Sequence, residues 1–108
     1  MIKNDQVYLE HILESITKIE SFTKGISRFD FDQNVMIQDA IIRNIEIIGE
    51  ATKKISKSFT QTHNEIPWSA MAGMRDKLIH DYLDVDLDVV WKTIEVDLPL
   101  LKELISNI

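Results

Sequence analysis

Apolar residues recur along this chain at the spacing of a helix rather than in the alternation of a strand. Val7, Leu9, Ile12, Ile16 and Ile19 predict a first helix over about residues 5–22. Gly25 and Ser27 interrupt that pattern and predict a turn. Beyond it, Ile37, Ile41, Ile45, Ile48 and Ile55 form the longest apolar stripe, and Asp30 with Gln33, or Asp32 alone, offers a cap for this second helix. The polar run SKSFTQTHNE, residues 56–65, reads as a connector. Pro67 suits the first position of a third helix, where its missing N–H costs nothing, and Trp68, Met71, Met74 and Leu78 or Ile79 supply its inward face. Asp86 can cap a fourth helix carrying Val90, Trp91, Ile94 and Leu98. Pro99 removes a backbone donor and so should kink that helix or start a short fifth. The expected fold is all-α, an antiparallel bundle of four to five helices.

Composition agrees with this pattern and narrows it. A chain of 108 residues, 44% of them hydrophobic, fills one core and predicts one domain over residues 1–108. Only three glycines and two prolines argue against a turn-rich sandwich. The absence of cysteine excludes disulfides, thiolate metal sites and cysteine nucleophiles. The N-terminal MIKNDQVYLEHILESI mixes charges with apolar residues, unlike a signal peptide, and no run reaches the roughly 18 apolar residues that span a membrane. The expectation is a soluble, cytoplasmic protein. A net charge of −6 argues against non-specific nucleic-acid binding, so any such contact must be local. Acidic residues crowd residues 81–97, whereas Arg43, Lys53, Lys54 and Lys57 lie on an earlier segment. If the Arg43 segment packs against that of Arg75, a small basic cleft can form on an acidic body.

The segment GMRDKLIHDY, Gly73 to Tyr82, carries the candidate chemistry. Arginine holds a phosphate through a planar fork of donors, and histidine moves protons near neutral pH. On an ideal helix Arg75 and Tyr82 lie about 20° apart, whereas His80 lies about 140° from Arg75. Convergence therefore requires the long reach of Arg75, a helix that loosens near His80, or a second copy of the chain across a two-fold axis. Each residue also has an ordinary use: Arg75 can pair with Asp76 or Asp81, His80 can be a surface residue, and Tyr82 can pack with a wet hydroxyl. Trp68 and Trp91 fall on apolar stripes and read as core anchors rather than base-stacking platforms. Arg43 and Glu46, one turn apart, can pair. His63, Glu65 and His80 match neither H-E-x-x-H nor a cysteine-assisted zinc motif, and no metal or cofactor is expected.

These residues carry a resemblance. The segment from Ile66 to Ile105, with R-x-x-x-x-H-x-Y at Arg75, His80 and Tyr82, resembles the C-terminal half of HepT-type toxins of the HEPN superfamily. DAIIRNIEIIGEATKKIS, Asp39 to Ser56, resembles the helix leading into that family's IGEA segment. The resemblance implies a helical-bundle homodimer with its motifs face to face. It implies a metal-independent endoribonuclease, the toxin of a type II/VII-like toxin–antitoxin system. The implied partner is an MNT-type nucleotidyltransferase antitoxin that transfers AMP to the motif tyrosine, Tyr82. In that setting His80 would move the proton of a ribose 2′-hydroxyl or of the leaving oxygen, and Arg75 would stabilise charge on the phosphate. Tyr82 would position the phosphate and accept AMP, and Arg43 would contact substrate from the cleft wall. Two other readings stay open: a non-catalytic HEPN module that binds nucleotide or protein and only receives AMP, and a structural helical adaptor.

Overall fold

The computed structural model describes residues 3–81 and 83–108. Helix α1 (Lys3–Thr23) and helix α3 (Val35–Lys54) are the long elements, and they pack along one another. Their pairing is antiparallel, because Asp5 at the start of α1 meets Ser56 just beyond the end of α3. The Asp5 carboxylate accepts from the Ser56 N–H at 2.8 Å and from the Ser56 hydroxyl at 2.7 Å. Asp5 is only 2% exposed, so these bonds stabilise a charge withdrawn from water and fix the register of the pair.

Leu9, Ile12, Ile16 and Ile19 of α1 are buried against Ile41, Ile45 and Ile48 of α3 in one continuous core. Val7, expected on the same stripe, is exposed, because two positions along a helix turn the side chain by about 200° away from Leu9. Between the long helices runs a short α2 (Arg28–Asp32), which Ser27 caps by accepting from the Asp30 N–H. Asp30 and Asp32 thus lie inside α2 and cannot begin α3. Asn34 does that instead, accepting from the Ile37 N–H at 3.0 Å. Asp32 is used elsewhere: Arg28 donates to Asp32 and to Asp88, each at 2.7 Å, tying α2 to the chain around Asp88. The hydrogen bond to Asp32, then that to Asp88, raises the Arg28 pKa above its ordinary value.

The polar run after α3 is not a simple connector. Ser56 caps a short helix α4 (Lys57–Thr62) and Phe59 turns inward from it, so one buried aromatic ring secures a segment that is otherwise polar. Pro67 flanks rather than opens the next helix, α5 (Trp68–Ala72), and Gly73 divides it from α6 (Met74–Leu78). The expected third helix is therefore broken into two. Trp68 donates its indole N–H to the His63 carbonyl at 2.9 Å, and Trp91 packs its ring on Phe31 at 5.1 Å. Both anchor the edge of the core while remaining half-buried.

A short antiparallel ribbon, β1 (Ile79–Asp81) with β2 (Asp84–Val85), follows α6 and is the departure from a purely helical chain. Asp86 then caps α7 (Leu87–Lys92) as expected, accepting from the Val89 N–H. A π-helical turn (Thr93–Asp97) passes directly into α8 (Leu98–Ser106). Pro99 sits in the first turn of α8 and has no N–H to give. The wider π turn just before it separates the proline ring from the preceding carbonyls, which would crowd it in a regular helix. No helix among the described residues is long and apolar enough to cross a membrane.

Candidate active site

Arg75 is placed by its neighbours on α6. Met74 and Leu78 are one turn apart and buried, which turns Arg75 outward along α3. Its Nε lies 2.9 Å from Glu46 Oε2 in an ion pair, and the other oxygen of Glu46 lies 4.0 Å from Arg43 Nη1. One carboxylate thus stands between two guanidinium groups. A glycine makes this approach possible: a Cβ at Gly49, one turn beyond Glu46, would lie 3.2 Å from the Ala72 carbonyl oxygen at the end of α5. The helices meet backbone to side-chain-free backbone, and α6 begins within reach of Glu46.

The resulting cleft, of about 330 Å³, is lined by Arg43, Lys53 and Arg75 together with Glu46, Glu50 and Asp76. The Arg43 and Arg75 segments do come together, but the cleft is not basic. Three carboxylates balance its three cations, because α3 carries both signs on the face that meets α5 and α6. A phosphate entering here would compete with Glu46 for Arg75. Since the Arg75 side chain is 46% exposed, its terminal nitrogens can serve an incoming group while Nε stays paired with Glu46.

His80 is not on a helix. In the ribbon, Ile79 pairs with Val85 and Asp81 with Asp84, so β1 advances two residues where β2 advances one. His80 is the extra residue, a β-bulge, which re-aims a side chain relative to a regular ladder. Its Nε2 lies 3.6 Å from Asp86 Oδ2, and the ring is 61% exposed. The other oxygen of Asp86 holds the cap of α7, so its carboxylate is fixed by the backbone before it meets the imidazole. Tyr82 lies outside the described residues.

Arg75 on α6 and His80 on the ribbon that follows it therefore face different surroundings, and His80 does not line the Arg75 cleft. The loosening expected near His80 is present: α6 ends at Leu78, two residues before it. Glu46 and Asp86 are the residues that sequence reading undervalued. Glu46 stood out only as a helical neighbour of Arg43 and Asp86 only as a cap. Their link to Arg75 and His80 spans separations that periodicity does not report.

A helical bundle that presents an R-x-x-x-x-H motif on a short helix and its exit, with the arginine held at a cleft, defines a HEPN-type protein. The family model described as "Ribonuclease HepT-like" matches residues 12–108, and the chain belongs to this HepT-like ribonuclease family. The endoribonuclease class expected from the motif is the one this family defines. A Thermococcus cleftensis protein named "Probable ribonuclease HepT" is 51% identical over 102 residues, covering 94% of this chain and 93% of the relative. A Methanocaldococcus jannaschii protein, whose name joins a gamma-glutamylcyclotransferase to a proposed RNase, is 48% identical over 108 residues. The chain spans 49% of that relative's length. A Caldanaerobacter subterraneus protein named as a proposed RNase is 41% identical over 107 residues, covering 96% of its own length. No solved structure matches the chain.

Proposed function

We propose that the protein is the endoribonuclease toxin of a toxin–antitoxin pair, acting as a two-fold homodimer in the cytoplasm without a metal. The observation that carries this reading is the divided motif: Arg75 is held over its cleft by Glu46, while His80 stands on a bulge beside Asp86. One copy separates the phosphate-holding group from the proton-moving group. A two-fold axis near the ribbon sets the second copy's motif opposite the first, so that both kinds of group meet one phosphodiester.

In the reaction, His80 takes the proton of a ribose 2′-hydroxyl. The 2′-oxygen forms a bond to phosphorus as the bond to the 5′-oxygen breaks, and that oxygen leaves with a proton from the second imidazole. A 2′,3′-cyclic phosphate and a 5′-hydroxyl result. Arg75 stabilises the charge that grows on the non-bridging oxygens. Asp86 sets a carboxylate 3.6 Å from the imidazole, on the side of its Nε2. Arg43 lines the cleft as a further phosphate contact.

An MNT-type nucleotidyltransferase neutralises the toxin by joining the α-phosphate of ATP to the Tyr82 hydroxyl, with pyrophosphate leaving. The bulky anion then occupies the path of the RNA and can pair with Arg75. RNA cleavage by the purified protein with excess chelator tests the chemistry. Arg75→Ala and His80→Ala should each lose about 10²-fold or more while keeping the parent's melting profile. Full activity in either variant, or a monomer by light scattering, would remove the proposed site. Incubation with the partner, ATP and magnesium should add one or more AMP masses to the parent and none to Tyr82→Phe.

A further inference from the structure

The flank of α3 that faces away from the Arg75 cleft bears a second cleft, of about 320 Å³, closed on its far side by α1. Tyr8 and His11 of α1 form one wall, Ile47 and Ala51 the floor, and Arg43 and Lys54 the charged rim. Arg43 and Glu50 line both clefts, so the two run along opposite sides of one ridge of α3. Apart from Arg43, which it shares with the Arg75 cleft, its side chains take no part in the chemistry described above.

Its chemistry is that of a site for an unpaired nucleotide. Tyr8 is half-buried against the core, and His11 meets it edge-on, with ring centroids 6.3 Å apart and planes at 74°. A held aromatic ring above an aliphatic floor stacks any nucleobase, because every base has a π face. The rim supplies cations with charge to spare. Arg43 is 70% exposed and reaches Glu46 only at 4.0 Å, and among the described residues no carboxylate pairs with Lys54. The acidic member of the ridge, Glu50, is engaged by Lys53 at 3.3 Å. Phosphate is thus favoured at Arg43, where the ridge can be crossed, and disfavoured at Glu50.

We infer that the cleft between α1 and α3 is a nucleotide subsite for single-stranded RNA. It holds a base that flanks the phosphate at Arg75, stacked on the Tyr8 ring with His11 at its edge, with Arg43 on the phosphate between the clefts and Lys54 on the next. The inference rests on the ribonuclease reading for which phosphate is cut, though not for whether the cleft binds. It accounts for local recognition by a chain of net charge −6: two cations and one stacking platform continue the reactive cleft without a basic surface.

The test measures KM and kcat on a labelled random-sequence single-stranded RNA oligonucleotide, and Kd for its 2′-deoxy counterpart, which cannot be cleaved by 2′-hydroxyl attack. Tyr8→Ala should raise KM and Kd about 5- to 150-fold, the equivalent of roughly 1–3 kcal/mol per stacked base, with a smaller change in kcat. Tyr8→Phe should restore both constants. Lys54→Gln should flatten the dependence of log Kd on log salt by about one phosphate contact. Should Tyr8→Ala fail to fold by circular dichroism, the exposed variants His11→Ala and Lys54→Gln carry the test alone. Unchanged KM and Kd in these variants of a cleaving parent would overturn the subsite and leave the ribonuclease reading standing. A parent that binds RNA but cuts none would overturn the ribonuclease reading, while the binding constants still judge the cleft. A parent that binds neither oligonucleotide would overturn both.

Discussion

Gly49→Ala tests how the reactive arginine is set in place. The added methyl would stand 3.2 Å from the Ala72 carbonyl oxygen and 3.5 Å from that of Met71. Both are backbone atoms of α5, so no flexible side chain can give way and the helix itself must move by a few tenths of an ångström. Overpacking of this kind costs about 1–3 kcal/mol. Alanine recovers up to about 1 kcal/mol of helix propensity that glycine forfeits. The net expectation is a loss of up to about 2 kcal/mol, or up to very roughly 10 °C in Tm for a domain near 100 residues. Function should suffer beyond stability, since α6 follows α5 through Gly73 and moves with it. The 2.9 Å ion-pair contact between Arg75 Nε and Glu46 then lengthens. Thermal unfolding gives the stability change, and RNA cleavage well below Tm gives kcat. A double-mutant cycle with Glu46→Gln separates the causes: if Gly49→Ala acts by parting Arg75 from Glu46, the two losses of kcat should be far from additive. A Gly49→Ala protein more stable than the parent and equally active would refute the reasoning, because the helices would then have room that the 3.2 Å contact denies.

Two further predictions follow from buried or fixed carboxylates. Asp86→Asn should keep the cap of α7, since asparagine caps as well as aspartate, yet lower kcat by removing the negative charge beside His80; Asp86→Ala should in addition lose about 1 kcal/mol of stability in urea unfolding. Equal kcat in parent and Asn variant would confine Asp86 to capping. Asp5→Ala should cost about 1.5–3 kcal/mol for each of its bonds to Ser56 in the same measurement, without changing kcat at temperatures where the fold is intact. A loss below about 0.5 kcal/mol would place this contact among ordinary surface interactions.

Much of the fold is legible in the chain because it is local. The isoleucine stripe of α3 and most of the stripe on α1 follow from 3.6-residue periodicity, and Asp86 is readable as a cap because its partner is three residues away. The candidate residues Arg75 and His80 were legible too, since their spacing and flanking residues are contiguous in sequence. Tyr82 was read from the same motif and lies outside the described residues.

What the chain did not disclose is set by contacts across long separations. The third helix breaks at Gly73 and ends at Leu78 because the ribbon closes there, with the Asp86 N–H donating to the Leu78 carbonyl at 2.7 Å. That pairing, not intrinsic propensity, makes His80 a bulge residue. Glu46 looked like a partner for Arg43, its neighbour one turn away. It pairs with Arg75 because Gly49 lets α5 approach α3 to a distance at which a Cβ would stand 3.2 Å from the Ala72 carbonyl oxygen. The supposed basic cleft became a balanced one for the same reason, as packing chooses which face of α3 confronts α6 and brings its carboxylates along with its cations. Periodicity determines which residues turn inward. The direction in which the outward ones meet is decided only when the helices dock, because docking alone joins side chains whose separation in sequence carries no signal of their contact.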